Sequence, residues 1–148
     1  MKSLARGQLV FVYGTLRRDS EHPLAQRLAA TSEYLGEATI PGKLYWTADD
    51  FPALIAGEGP DRVVGDLYQV GEASLLDVLD LYEGHFYERR RLPVSSSVTG
   101  LAAAWVYLYV GAVDPARLIE HGDYTAAWRA RQKLNASAAV AGSQIDHS

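Results

Sequence analysis

The sequence predicts an α+β fold whose core is a mostly antiparallel, strongly curved sheet or small barrel. Three observations lead there. Short apolar runs with strand character outnumber the helical ones, turn signals are dense, and most connections are too short for the crossovers that parallel strands require. The 148 residues, 48% hydrophobic and 22% charged, suit one ordinary globular domain. That domain is expected over residues 1–133, with 134–148 as a mobile C-terminal tail of small and polar residues.

The elements follow in order. Gln8 to Tyr13 (QLVFVY) is a β-branched and aromatic run between Gly7 and Gly14, the pattern of a strand buried on both faces. His22 to Ala30 has a short helical pattern, with Pro23 suited to a first turn. From Tyr34 to Ile55 the apolar pieces are broken by Gly36, Pro41-Gly42, Asp49-Asp50 and Pro52, which favours strands and loops over helices. Val63 to Val70 reads as a strand, and Glu72 to Glu83 as the clearest helix. Tyr87 to Val98 and Leu101 to Val110 form a hairpin about Thr99-Gly100. In its second arm Trp105, Tyr107 and Tyr109 share one face, while Val106, Leu108 and Val110 share the other. Neither face is polar, so the arm is expected to be covered on both sides. Asp114 to Lys133 is helix-like, with Asp123 as a candidate N-cap.

Composition excludes several chemistries. The chain has no cysteine, so disulfides, thiolate nucleophiles and thiolate metal sites are ruled out. A net charge of −4 is a poor match to nucleic acid or an anionic membrane. The N-terminal residues lack the apolar core of a signal peptide, and no run of ~18 apolar residues could span a bilayer, so the expectation is a cytoplasmic protein. His22, His85, His121 and His147 have no metal-ligand spacing and read as surface or loop residues, so no metal is expected. No nucleophile elbow or Ser-His-Asp order supports a hydrolase.

One carboxylate stands in the wrong place. At 100° per residue, Leu75, Leu79 and Leu76 span roughly 0° to 100°, and Glu83 falls at about 80°, inside the apolar sector. It is also the last helical residue before Gly84, a natural C-terminal cap, and so faces the negative end of the helix dipole. Burial and dipole both disfavour the anion and raise the pKa toward neutrality, where a carboxyl group suits proton shuttling. The alternative is a frayed last turn with Glu83 in water. A second feature is Tyr13-Gly14-Thr15-Leu16, where a strand stops at a glycine. Successive N–H groups at such a turn form an anion nest, although a glycine there is also simply a turn. The further glycines and the Lys-Ser/Thr pair of a P-loop are missing. Together, a nest and a buried acid/base suggest proton transfer on a small anionic or zwitterionic molecule.

At these residues the chain resembles the gamma-glutamylcyclotransferase-like superfamily, which includes the avirulence-induced-gene-like domain. The matching pieces are VFVYGTLR at 10–17, VVGDLYQV at 63–70, LDLYEG at 79–84 and YERRRLPV at 87–94. IEHGDYTAAWR at 119–129 is similar to the Gly-Asp-Trp-Arg region of bacterial members, with Tyr124 where Trp is usual. The resemblance implies a small mixed β-barrel-like fold flanked by helices, with a cavity at its mouth. It implies that Tyr13, Gly14, Thr15 and Leu16 hold a γ-glutamyl group and that Glu83 is the general acid/base. The implied reaction is intramolecular: the α-amine attacks the γ-carbonyl, releasing 5-oxoproline and an amine, with no cofactor. The Thr15-Leu16 form of the loop is similar to the γ-glutamylamine-type branch, and γ-glutamyl peptides remain the other substrate class. Tyr87 and Arg89 follow Glu83 and are further candidates for substrate contact; Arg89 also reads as a rim residue of the Arg89-Arg90-Arg91 run, a solvated strand edge. Two rivals remain: a small-molecule binding or regulatory module without catalysis, and an enzyme removing a γ-glutamyl protecting group from a larger amine.

Overall fold

The computed structural model describes residues 8–146, with side chains through residue 137. Seven strands and three α-helices follow in the order β1 (Leu9–Val12), α1 (Pro23–Thr31), β2 (Glu33–Trp46), β3 (Pro52–Ala56), β4 (Arg62–Gln69), α2 (Leu75–Glu83), β5 (Tyr87–Ser96), β6 (Gly100–Tyr109), β7 (Leu118–Ile119) and α3 (Tyr124–Asp146). Strands β2, β4, β1, β6 and β5 hydrogen-bond in that order, and β5 returns to β2 through Ala38–Ser96 and Thr39–Ser95, which closes a five-stranded barrel. All of these pairs are antiparallel except β1–β6, where Val10 pairs Trp105 and Phe11 pairs Val106. β2 leaves the barrel past Gly42 and carries β3 and β7 on its far half. The mixed, mostly antiparallel barrel flanked by helices is the fold the sequence predicts.

β1 is the wall between two cores. Phe11 points into the barrel with Ile40, Leu54, Val63, Leu67, Val94 and Val106. Val10 and Val12 point outward, against Leu28 of α1 and Leu75 and Leu79 of α2. The expectation of a strand buried on both faces therefore holds. Each fully buried Leu contributes about 1.5–3 kcal/mol, so Leu75 and Leu79 fix the rotational setting of α2. The same alternation places Ala104 and Val106 of β6 inside and Trp105 and Tyr107 outside. β6 is covered on both faces only along its middle, since Leu101 and Val110 are exposed at its ends.

The helix expected from Asp114 begins only at Tyr124. Residues 115–117 form a single 3-10 turn capped by the Asp114 side chain, after which β7 pairs with β2. Gly122 then crosses β4 with φ +70, so close that a Cβ there would meet the Arg62 carbonyl. A helix cannot pass through that contact. Asp123 does cap α3, its Oδ1 accepting from Ala126 N at 3.0 Å. The backbone stays helical through Asp146, across the boundary expected at residue 134. Residues 147–148 of the segment expected as a mobile tail, and its side chains from 138 onward, lie outside the described residues. Among the described residues no helix is long and apolar enough to cross a membrane.

Candidate active site

Where β1 leaves the barrel, five pieces of chain enclose a cavity of about 160 Å³. β1 and its turn supply Phe11 to Leu16, the β2–β3 loop supplies Phe51, and β3 begins there with Pro52. α2 ends there with Tyr82 and Glu83, while β5 and β6 contribute Tyr87 and Tyr107. The cavity straddles the end of β1, touching Phe11 and Tyr13 of the inner core and Val12 and Leu16 of the outer one.

Glu83 is the only carboxyl among these lining residues. It is the last residue of α2, set one turn beyond Leu79, and Gly84 ends the helix with φ +79 while donating its N–H to Asp80 O at 3.1 Å. The last turn is therefore formed, and Glu83 faces the cavity. Burial pushes its carboxyl from the ordinary 4.5 up to about 7. Among the described residues no cation pairs with it.

Around it stand hydroxyl groups that ionise with difficulty. Tyr13 is buried and donates its hydroxyl to the Tyr107 carbonyl at 2.6 Å; burial first, and the Glu83 charge second, hold its pKa well above the ordinary range. Tyr87 donates to the Pro52 carbonyl at 2.6 Å and is raised by burial and then by Glu83. Thr15 and Tyr82 share a hydroxyl–hydroxyl hydrogen bond of 2.9 Å. The glycine turn is closed by Arg17 N donating to Gly14 O at 3.1 Å. None of the hydrogen bonds within the described residues involves the N–H of Thr15 or Leu16, and both residues line the cavity.

Of the residues the sequence singles out, Tyr13, Gly14, Thr15, Leu16, Glu83 and Tyr87 come together here, and Arg89 does not. Arg89 lies against Trp105, 4.3 Å over its ring, and binds Asp80 at 2.8 and 3.1 Å. Asp80 in turn accepts the Tyr107 hydroxyl at 2.7 Å. Among the remaining arginines of that run, Arg90 is exposed and pairs with Glu88. His22 caps α1 through Nδ1, His85 packs on Phe86, and His121 accepts from Asp123 N; His147 lies outside the described residues.

The lining also includes Phe51, Pro52 and Tyr82, which the sequence does not mark as site residues. A further cluster supports the turn from below. Asp66 of β4 is 3% exposed and accepts from Arg17 Nε at 3.2 Å, Arg18 N at 2.8 Å and the Tyr34 hydroxyl at 3.2 Å. Arg17 also reaches Asp123 at the start of α3, at 3.1 Å. A charge within the apolar run Val63 to Val70 is the signal that could have marked Asp66.

The chain belongs to the family described as gamma-glutamyl cyclotransferase, AIG2-like, whose model matches residues 10–126. It is 30% identical over 117 residues to the gamma-glutamylcyclotransferase family protein YtfP of Escherichia coli, covering 78% of this chain and 94% of that one. Two solved structures share the fold. One is the protein PH0828 of Pyrococcus horikoshii, with TM-score 0.64, 24% identity and coverage of 85% of this chain and 97% of that one. The other is an AIG2-like protein of Mus musculus, with TM-score 0.66, 23% identity and coverage of 79% and 87%.

Proposed function

We propose that the protein is a γ-glutamyl cyclotransferase that converts a γ-glutamyl amine or γ-glutamyl peptide to 5-oxoproline and a free amine. The observation that carries this is Glu83, a carboxyl raised to about 7 by burial, in one cavity with the Tyr13–Leu16 turn. The α-amine of the substrate bonds to its own γ-carbonyl carbon, and the γ-amide C–N bond breaks. The α-nitrogen sheds two protons between ammonium and lactam N–H: Glu83 takes one and returns it to the departing nitrogen, and the second leaves to water or to the released amine. Because nucleophile and electrophile share one molecule, much of the entropic barrier is already removed. One carboxyl titrating near neutrality serves both proton transfers.

The N–H groups of Thr15 and Leu16 bind the substrate α-carboxylate and hold the rotamer that cyclises. Tyr13 and Tyr87, neutral throughout the physiological range, shape the wall without adding charge. Arg89 acts at one remove: it keeps Asp80 as the acceptor of the Tyr107 hydroxyl and so orients that ring in the cavity. The proposed substrate is a small molecule, and the protein supplies one carboxyl, backbone amides and no cofactor. Incubation with γ-glutamyl amines and γ-glutamyl dipeptides, with 5-oxoproline measured by mass spectrometry, tests the assignment. Product from wild type and none above background from Glu83→Gln is expected. Equal turnover by both proteins would refute the role given to Glu83.

A further inference from the structure

We propose that Asp50 is a positioning residue of this site: through Arg117 and Arg131 it holds Phe51 and Pro52 against the glycine turn and so sets how tightly substrate is bound. The proposal rests on the cyclotransferase reading for its kinetic consequence, but not for its geometry.

Phe51 and Pro52 are cavity wall, yet Phe51 belongs to the surface loop between β2 and β3 and is half exposed, and Pro52 is the first residue of β3. Asp50 adopts φ +64, a left-handed conformation that Asp and Asn tolerate better than most residues. Its Oδ1 binds Arg117 at 2.7 Å and Arg131 at 2.8 Å, and its carbonyl accepts the Tyr124 hydroxyl at 3.3 Å. Arg117 also donates to the Trp46 and Thr47 carbonyls, so one guanidinium grips both ends of the loop's approach. Arg131 comes from α3 and lies 4.4 Å over the Trp46 ring. Two elements distant in sequence, the 115–117 turn and α3, thus converge on one exposed carboxylate that does not line the cavity.

The consequence lies one residue further on. Pro52 packs so closely on Gly14 that a Cβ there would come within 2.5 Å of Pro52 Cγ. The Pro52 carbonyl also receives the Tyr87 hydroxyl. Freeing Asp50 therefore loosens the contact that seats the glycine turn and the acceptor that fixes Tyr87, while Glu83, held by α2, stays in place. Binding should weaken and the chemical step should not.

Asp50→Asn keeps the size and the left-handed conformation and deletes the charge; Arg117→Met with Arg131→Met deletes the partners. With a γ-glutamyl substrate that wild type turns over, KM should rise about three- to tenfold in either variant while kcat stays within about twofold, and the losses should not add when the variants are combined. Added salt should raise the wild-type KM toward that of Asp50→Asn, whose own KM responds less. In the ligand-free protein, amide exchange across residues 47–52 should be faster in Asp50→Asn. Unchanged KM, a fall confined to kcat, or unchanged exchange would overturn the proposal. If wild type turns over no γ-glutamyl compound, the cyclotransferase reading fails, and the exchange experiment alone decides whether Asp50 holds the loop.

Discussion

Replacing Glu83 with glutamine should make the protein more stable above neutral pH and leave the comparison flat in strong acid. In the folded chain burial keeps the Glu83 proton on until about pH 7, whereas the unfolded chain releases it near 4.5. Between those values the folded state binds the extra proton, so the free energy of unfolding falls as pH rises; above 7 the loss is complete. The gap corresponds to at most roughly 3 kcal/mol. That is a large share of the ~5–15 kcal/mol that holds a domain of this kind together. Glutamine has no proton to lose, so its cost of burial does not change with pH. Urea unfolding of both proteins at intervals from pH 4.5 to 8.5 isolates the effect, because every other titrating group is common to the two. The advantage of Glu83→Gln over wild type should grow by roughly 2–3 kcal/mol across that window and level off above about pH 8. A constant difference would show that Glu83 titrates as it does in water, and the reasoning from burial would fall with it.

The same carboxyl should shape the rate. Because Glu83 must be ionised to accept the ammonium proton, kcat/KM for 5-oxoproline formation should fall tenfold per pH unit below about 7, and an acid limb near 4.5 would contradict this. Gly14→Ala places a Cβ within 2.5 Å of the Pro52 ring, which is tied to its backbone and cannot swing aside. A loss of about 1–3 kcal/mol in urea unfolding and a raised KM are expected, and wild-type values would show that the contact is loose. Asp66→Ala leaves the Arg17 guanidinium without its buried partner. It should cost about 3–5 kcal/mol by chemical unfolding, and a loss under about 1 kcal/mol would show that water already solvates the pair.

Local pattern made Glu83 and the glycine turn legible, because both depend on periods that a short window contains. A carboxylate at 80° on the leucine side of a helix can only face what the leucines face. Period-two alternation likewise separates Phe11 and Tyr13 from Val10 and Val12. The same alternation places Arg89 outside the cavity lining. It shares a face with Tyr87 but lies two residues on, about 6–7 Å along the strand, beyond the cavity and beside Asp80, one turn before Glu83. What local pattern could not show is the meeting of distant segments. The β2–β5 closure, the parallel Val10–Trp105 pairing and the Asp50–Arg131 ion pair depend on how the whole chain closes. Phe51 and Pro52 look like turn residues in sequence, and only their packing on Gly14 makes them cavity wall. The helix expected from Asp114 fails for a related reason, since the need to pair β7 with β2 outweighs the local helical pattern.

The site is built from parts with different anchors, and that difference has a functional consequence. Glu83 is placed by Leu75 and Leu79, both fully buried, and the turn at Gly14 by a strand packed on both faces. Moving either means opening a core, so the geometry between acid/base and turn is as rigid as the fold. Pro52 starts β3 opposite Trp46, but the loop before it is braced at Asp50 by surface ion pairs, which are individually weak and sensitive to salt. On the proposed reading, the rigid parts hold the γ-glutamyl group, which every substrate of the reaction shares. On the same reading the loop, open to solvent at Phe51, is the part left to meet the variable amine. A barrel that keeps its chemistry in the core and its selectivity on a charge-clamped loop can change substrate by surface substitution without disturbing Glu83. Exchanging residues 49–52 for those of a relative should therefore alter KM among γ-glutamyl compounds while leaving the acid limb near pH 7 where it is, and a shift of that limb would show that loop and carboxyl are not mechanically separate.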